Sequence, residues 1–154
     1  MGMNDFYITL LFPGAAVVKE ADRWHIAGVT GIRTEDIRRD ISGIGGAKQV
    51  SEDMYRVHGF IELYLHYRDK EAEGIYLKCS FAHLEDGIER LYGIMGYFRE
   101  KYFCTVLIRD EECKPEGAAG LEADIKRVYR EKYEFFCRSV SVISGRKRRQ
   151  KLLK

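Results

Sequence analysis

Short apolar runs along the chain predict several β-strands. Phe6 to Phe12 is a continuous apolar stretch rich in β-forming residues, which is typical of a buried strand. Arg23 to Ile32 predicts a second strand with Trp24, Ile26 and Val29 as apolar anchors. The segment between them has a turn-like start, which suits a hairpin or a longer antiparallel connection.

Alternating apolar and polar positions predict a long antiparallel hairpin in the middle of the chain. The alternation runs from Tyr55 to Tyr67 and again from Ile75 to Phe81, with a charged turn between them. Phe103 to Ile108 predicts one more buried strand. The apolar residues between 140 and 143 indicate a last short strand.

Helical spacing predicts one short and two long helices. Thr34 is a favourable N-cap for the short helix, in which Ile37, Ile41 and Ile44 follow at helical intervals. Each long helix carries an apolar stripe of five residues. The first stripe is Leu84, Ile88, Leu91, Met95 and Phe98, and the second is Leu121, Ile125, Tyr129, Tyr133 and Phe136.

Two glycine-rich features in these regions each have two interpretations. The loop Ser42 to Lys48 is predicted to be a helix C-cap with a flexible connection, and the alternative is a mobile loop whose amides hold phosphate. It lacks the spacing of a P-loop. Gly93 and Gly96 either allow close approach of a neighbour, including a second copy in a homodimer, or expose a flat patch.

The order of these elements predicts an α+β fold. We expect a single domain over residues 1–145, with a mixed, mostly antiparallel sheet of five or six strands. Two long helices and one short helix cover one or both faces. The strand–helix–strand passage from Ile75 to Ile108 predicts a right-handed parallel crossover.

The net charge of +2 divides into two opposed parts. Residues 146–154 contain six basic residues and no acidic one, so they predict a basic, disordered tail. Residues 1–145 hold 20 basic and 24 acidic residues, a net charge of −4. The chain therefore combines an acidic body with a basic end.

The tail suggests a nucleic-acid-binding function as an alternative to protein binding. The residues that would contact phosphates are Arg146, Lys147, Arg148, Arg149 and Lys151. The tail has no aromatic residue for base stacking. Other interpretations are a solvated end, or contact with an anionic membrane or an acidic partner.

The four cysteines predict a reducing compartment. Cys79 and Cys104 fall in apolar runs, where a free cysteine behaves as a small hydrophobe. Cys113 lies in a polar segment and is predicted to be the most exposed. With no transmembrane segment predicted, we expect a cytoplasmic protein.

Catalytic and metal motifs are weak in this sequence. A nuclease-like metal site could use Asp5, Glu89 and Asp110, but only an analogy of layout supports it. Residues 58, 62 and 66 share a predicted strand face, yet their span is too long for one ion. We therefore predict no catalytic residue, no metal and no cofactor, and rank an enzyme third among the functions.

Tyrosines and acidic clusters favour a binding function. An aromatic face surrounded by acids would suit a basic partner such as a toxin or nuclease domain, as in inhibitors and immunity proteins. The alternative for the tyrosines is a second layer of core. The predicted partner-binding residues are Asp69, Glu71, Glu73, Tyr64, Tyr76, Asp110, Glu111 and Glu112.

Overall fold

Antiparallel strands dominate the computed structural model, which describes residues 4–140. Seven of the strands form the main sheet in the order β4-β5-β6-β7-β1-β8-β9, and β2 and β3 form a separate hairpin. The strands are β1 (Asp5–Leu11), β2 (Ala15–Glu20), β3 (Arg23–Gly28), β4 (Ala47–Gln49), β5 (Met54–Val57), β6 (Ile61–Arg68), β7 (Glu71–Ser80), β8 (Thr105–Ile108) and β9 (Glu111–Cys113).

Four α-helical segments accompany the sheet in the described residues. They are α1 (Thr34–Ser42), α2 (Leu84–Tyr102), α3 (Gly117–Val128) and α4 (130–140), and a 3-10 turn, Phe81–His83, leads into α2. Acidic residues lie in the first turn of α2 and basic residues in its last, which matches the helix dipole. The last two helices are separated at Tyr129, whose hydroxyl accepts a hydrogen bond from the backbone N–H of Tyr7 at 3.1 Å.

The main hydrophobic core lies between the helices and one face of the sheet. Alternation along β1 directs Phe6, Ile8 and Leu10 to this face, and their partners on β7 include Leu77 and Ile75. Apolar residues of α1, α2 and α3 join the same cluster. The helices therefore cover one face and leave the other to a different set of side chains.

The β2–β3 hairpin covers one end of the opposite face. Ile26 of β3 is buried. A Cβ atom built at Gly74 would lie 3.2 Å from Cδ1 of Ile26 and 3.6 Å from Cδ2 of Leu11. Glycine at position 74 therefore permits the close packing of the hairpin on the sheet.

A β-bulge interrupts the pairing of β6 with β7. His66 pairs with Gly74 and Tyr67 pairs with Ala72, which leaves Glu73 without a partner. Bulges of this kind redirect a side chain and often occur beside functional sites.

The predicted α+β class and the mostly antiparallel sheet are confirmed, and the structure adds strands. β7 and β8 run parallel to each other, as the crossover predicts, with β1 between them. The predicted strand from Tyr55 to Tyr67 is two strands, because His58 and Gly59 adopt positive φ angles of 54° and 80° and form a turn. The sheet therefore has seven strands rather than five or six.

Three expectations about local environment were wrong. Cys113 is only 6% exposed because it pairs with Val106 on the helix side of the sheet. Trp24 and Val29 are 62% and 81% exposed, so Ile26 alone anchors that strand. Val140 is helical, and the rest of the predicted last strand lies outside the described residues.

Candidate functional site

The face of the sheet opposite the helices carries a cross-strand row of aromatic and polar side chains. Thr9 of β1 pairs with Tyr76 of β7, and Tyr76 pairs with Tyr64 of β6. One row away, Tyr7 pairs with Lys78. We call the set Tyr7, Thr9, Tyr64, His66, Tyr76 and Lys78 the tyrosine face.

The tyrosine face forms a shallow, open depression. A cavity of about 650 Å³ lies over it, and its walls include Asp53 and the six residues of the face. Thr9 is buried at its floor, whereas the three tyrosines are half-buried. The shape and size are those of a surface that receives a ligand or a protruding segment of another molecule.

An ionic network borders one side of this cavity. The Lys78 ammonium lies 3.3 Å from Oε2 of Glu62 and 3.6 Å from Oδ2 of Asp5. Burial lowers the pKa of Lys78, but the hydrogen bond with Glu62 and nearby charges outweigh it, so the pKa is raised. The Arg56 guanidinium also lies 4.0 Å from Glu62, so two cations balance the two carboxylates on this side of the cavity.

Tyr64 and Tyr76 remain neutral phenols over the physiological range. The Tyr64 hydroxyl donates to Oε2 of Glu62 at 3.0 Å. Burial, and then this hydrogen bond, raises the pKa of Tyr64. Burial and the charge of Glu73 raise the pKa of Tyr76. Both rings therefore offer apolar area together with a hydroxyl that can donate or accept.

A buried carboxylate lies at the other side of the face. Glu73, in the bulge, has its Oε1 atom 3.7 Å from Nε2 of His66. Its Oε2 atom is buried and has no hydrogen-bond partner among residues 4–140. The His66 ring contacts Tyr76 edge-to-face, with the ring centroids 6.1 Å apart. No sequence pattern indicates this arrangement, because the bulge alone brings Glu73 beside His66.

The three acids of the first predicted cluster have different environments along the β6–β7 turn. Asp69 is exposed in the β6–β7 turn with a φ of 55°. Glu71 accepts hydrogen bonds from the backbone N–H groups of Thr30 and Gly31. Glu73 is buried at the bulge, and all three acids line one cavity of about 710 Å³ between the β2–β3 hairpin and this turn.

The second predicted acidic cluster lies at the far edge of the sheet. Asp110 and Glu111 are exposed, and Glu111 forms a bidentate pair with Arg127 at 2.9 Å. Glu112 pairs with Leu107, which pairs with Thr9. Glu112 therefore lies in the same cross-strand row as Tyr64 and Tyr76, which were also predicted to bind the partner.

The residues considered for metal binding are not brought together. Within residues 4–140 no three His, Cys, Asp or Glu side chains are close enough to hold an ion, and this range includes Asp5, Glu89 and Asp110. His58 lies in the β5–β6 turn against Gly46, whereas His66 lies on the tyrosine face. The predicted nucleic-acid contacts at 146–151 lie outside the described residues.

Sequence reasoning missed part of this face. Tyr7, Thr9 and Lys78 have the alternation of outward-facing strand residues, but only the register of β1 against β7 shows that they are neighbours.

No helix of the described residues has the length and apolar character needed to cross a membrane. Comparisons with models of known protein families, with curated proteins and with solved structures find no match to this chain.

Proposed function

We propose that this protein is a non-enzymatic binding protein that occupies the surface of a partner protein with its tyrosine face. The observation that carries the proposal is the direct cross-strand pair of Tyr64 and Tyr76, half-buried on a concave sheet face that no described helix covers. The proposal extends to an inhibitor or immunity protein that blocks the partner's working surface.

The chemistry of the face suits a protein surface. Tyrosine supplies a large apolar contact area at a low cost in side-chain entropy and is enriched among residues that dominate binding energy. Thr9 and the backbone fix the floor, so the ring positions are largely set before binding. A surface organised in advance loses less entropy when the partner docks.

The charge around the face suits a basic partner. Asp5 and Glu62 are paired with Lys78 and Arg56, whereas Asp53 and Glu112 are exposed at the borders of the face. The acidic body, with a net charge of −4 over residues 1–145, adds a longer-range attraction. A partner with a cationic cleft, such as a toxin or nuclease domain, would associate faster and bind in one orientation.

The cysteines support a cytoplasmic location for this function. All four are free thiols, and Cys79, Cys104 and Cys113 are buried. Burial raises the pKa of Cys79 and of Cys104 to about 12, so these thiols stay protonated and unreactive. Free buried thiols are typical of proteins kept in reducing compartments.

The proposal is tested by parallel affinity capture from the native host. The full chain and its Tyr64→Ala/Tyr76→Ala variant are immobilised side by side, with Phe135→Ala, an exposed aromatic residue on α4, as the control. We expect a basic protein that is retained by the wild type and the control and lost by the double variant. Retention of the same proteins by all three would refute the proposal.

A further inference from the structure

A second cavity, of about 520 Å³, lies between the loop after α1 and the middle of α2. It shares no lining residue with the tyrosine face. We propose that this cavity binds the phosphate group of a small organic phosphate monoester. The residues that carry the proposal are Arg39, Gly45, His58, Arg90, Gly93 and Tyr97.

The loop after α1 presents unoccupied backbone donors. The N–H of Gly43 donates to the carbonyl oxygens of Arg39 and Asp40 at 3.1 and 3.2 Å, and that of Ile44 donates to Ile41 at 3.0 Å. These bonds satisfy carbonyls in the last turn of α1, which would otherwise repel an anion. Within residues 4–140, nothing accepts a hydrogen bond from the N–H of Gly45 or of Gly46. Free amides of a glycine-rich loop are suitable donors to phosphate oxygens.

A strained turn places a histidine beside this loop. His58 and Gly59 both have positive φ angles, in a turn where asparagine followed by glycine is the favoured pair. A histidine there has a conformational cost of about 1–2 kcal/mol that glycine would avoid. A Cβ built at Gly46 would lie 2.7 Å from the His58 ring, so the loop and the turn pack tightly. The imidazole is thereby fixed at the wall of the cavity.

Cationic side chains dominate the charge of the cavity. Arg39 projects from α1 and Arg90 from α2. Asp40 is the one carboxylate of the lining, and its oxygens lie 2.9 and 3.0 Å from the Lys101 ammonium. The Arg39 guanidinium also lies 4.0 Å from the carboxylate of Asp36. Because this ion pair is exposed, it holds Arg39 only weakly. Two arginine side chains in an acidic body thus line one space, and the Arg90 guanidinium also lies over the Phe60 ring, 6.0 Å from its centroid. Guanidinium geometry matches phosphate oxygens.

The remaining walls suit the organic part of an ester. Val57 and Ile94 are buried at the base of the cavity, and the Tyr97 ring is 42% exposed at its rim. A Cβ added at Gly93 would meet no atom within 4 Å, so the absence of a side chain keeps the cavity open. The volume exceeds that of a phosphate ion and falls in the usual range for small-molecule sites.

The test measures binding of inorganic phosphate and phenyl phosphate to the full chain by calorimetry and by NMR of the imidazoles. We expect phenyl phosphate to bind more tightly than inorganic phosphate and to shift His58 while leaving His66 unchanged. Arg39→Gln and Arg90→Gln should each weaken binding about tenfold or more, as expected for the loss of charge-assisted hydrogen bonds. Arg23→Gln, on the β2–β3 hairpin, is the matched charge control.

A pair of glycine variants separates the cavity from the rest of α2. Gly93→Leu fills the cavity, and Gly96→Leu adds the same side chain at a position that also has open space around it but does not line the cavity. Binding should be lost in the first and retained in the second. Equal affinity in both, or no shift of His58 with either compound, would overturn the proposal.

A further arm distinguishes the source of the monoester. Phosphatidylcholine vesicles with and without phosphatidic acid present the same phosphate group on a membrane surface. Arg39- and Arg90-dependent binding of phenyl phosphate supports the soluble ester, whereas the same dependence on vesicles alone would overturn it in favour of a lipid headgroup. Binding to either probe that is unchanged in both arginine variants would contradict the site.

Discussion

Glu73 is 2% exposed, and its Oε1 atom lies 3.7 Å from Nε2 of His66. The β-bulge in β7 creates this relationship, since Glu73 has no pairing partner on β6. The second carboxylate oxygen is buried without a hydrogen bond among the described residues. An incompletely satisfied buried carboxylate beside a concave face lowers stability and is the kind of feature found near binding sites.

We predict that Glu73→Gln stabilises the protein. The substitution removes a buried charge, while His66 is partly exposed and is not left uncompensated in the core. The free energy of unfolding in urea at neutral pH should rise by about 1 kcal/mol. A fall of that size would show that the carboxylate itself stabilises the bulge.

Glu71→Gln should have the opposite effect on stability. Hydrogen bonds from the backbone N–H groups of Gly31 and Thr30 lower the pKa of Glu71. A carboxylate with a lowered folded-state pKa contributes stability above its unfolded pKa, and that stability is lost as the pH falls through the folded pKa. The variant should therefore be less stable than wild type at neutral pH, and the difference should shrink in acid. Urea titrations across this pH range measure it, and a constant difference would argue against the assignment.

Three glycines of α2 should respond differently to alanine. A Cβ atom added at Gly93 or at Gly96 would have no neighbouring atom within 4 Å. Each alanine substitution should therefore stabilise the helix by up to about 1 kcal/mol. At Gly87 the Cβ would lie 2.6 Å from Cε2 of Phe60, so alanine should destabilise. Thermal unfolding of the three variants tests the packing of α2. Stabilisation by Gly87→Ala would show that Phe60 moves freely.

Charge reversal at the border of the tyrosine face should slow association with the partner. Asp53→Lys and Glu112→Lys change exposed residues on two edges of the face, and Glu134→Lys on α4 is the control. The association rate should fall for the first two, and the effect should diminish with added salt. Stopped-flow measurements at several salt concentrations check this. Equal rates for all three variants would remove the electrostatic part of the proposal.

The sequence predicts the element types better than their arrangement. Alternation identifies the outward positions of Tyr64 and Tyr76, and the stripe from Leu84 to Phe98 predicts α2. The turn at His58 was missed because histidine is not a typical turn residue with positive φ. The sequence does not show that Tyr7 and Lys78 are neighbours, because the register between distant strands depends on tertiary packing.

The most direct test measures the dissociation constant of the captured partner with wild type, Tyr64→Ala, Tyr76→Ala and the Phe135→Ala control. Tyr64 and Tyr76 lie in one cavity, so each truncation should weaken binding about tenfold or more, chiefly through faster dissociation. The control should bind as the wild type does, and circular dichroism should show all four proteins folded. Wild-type affinity in both tyrosine-face variants would contradict the account.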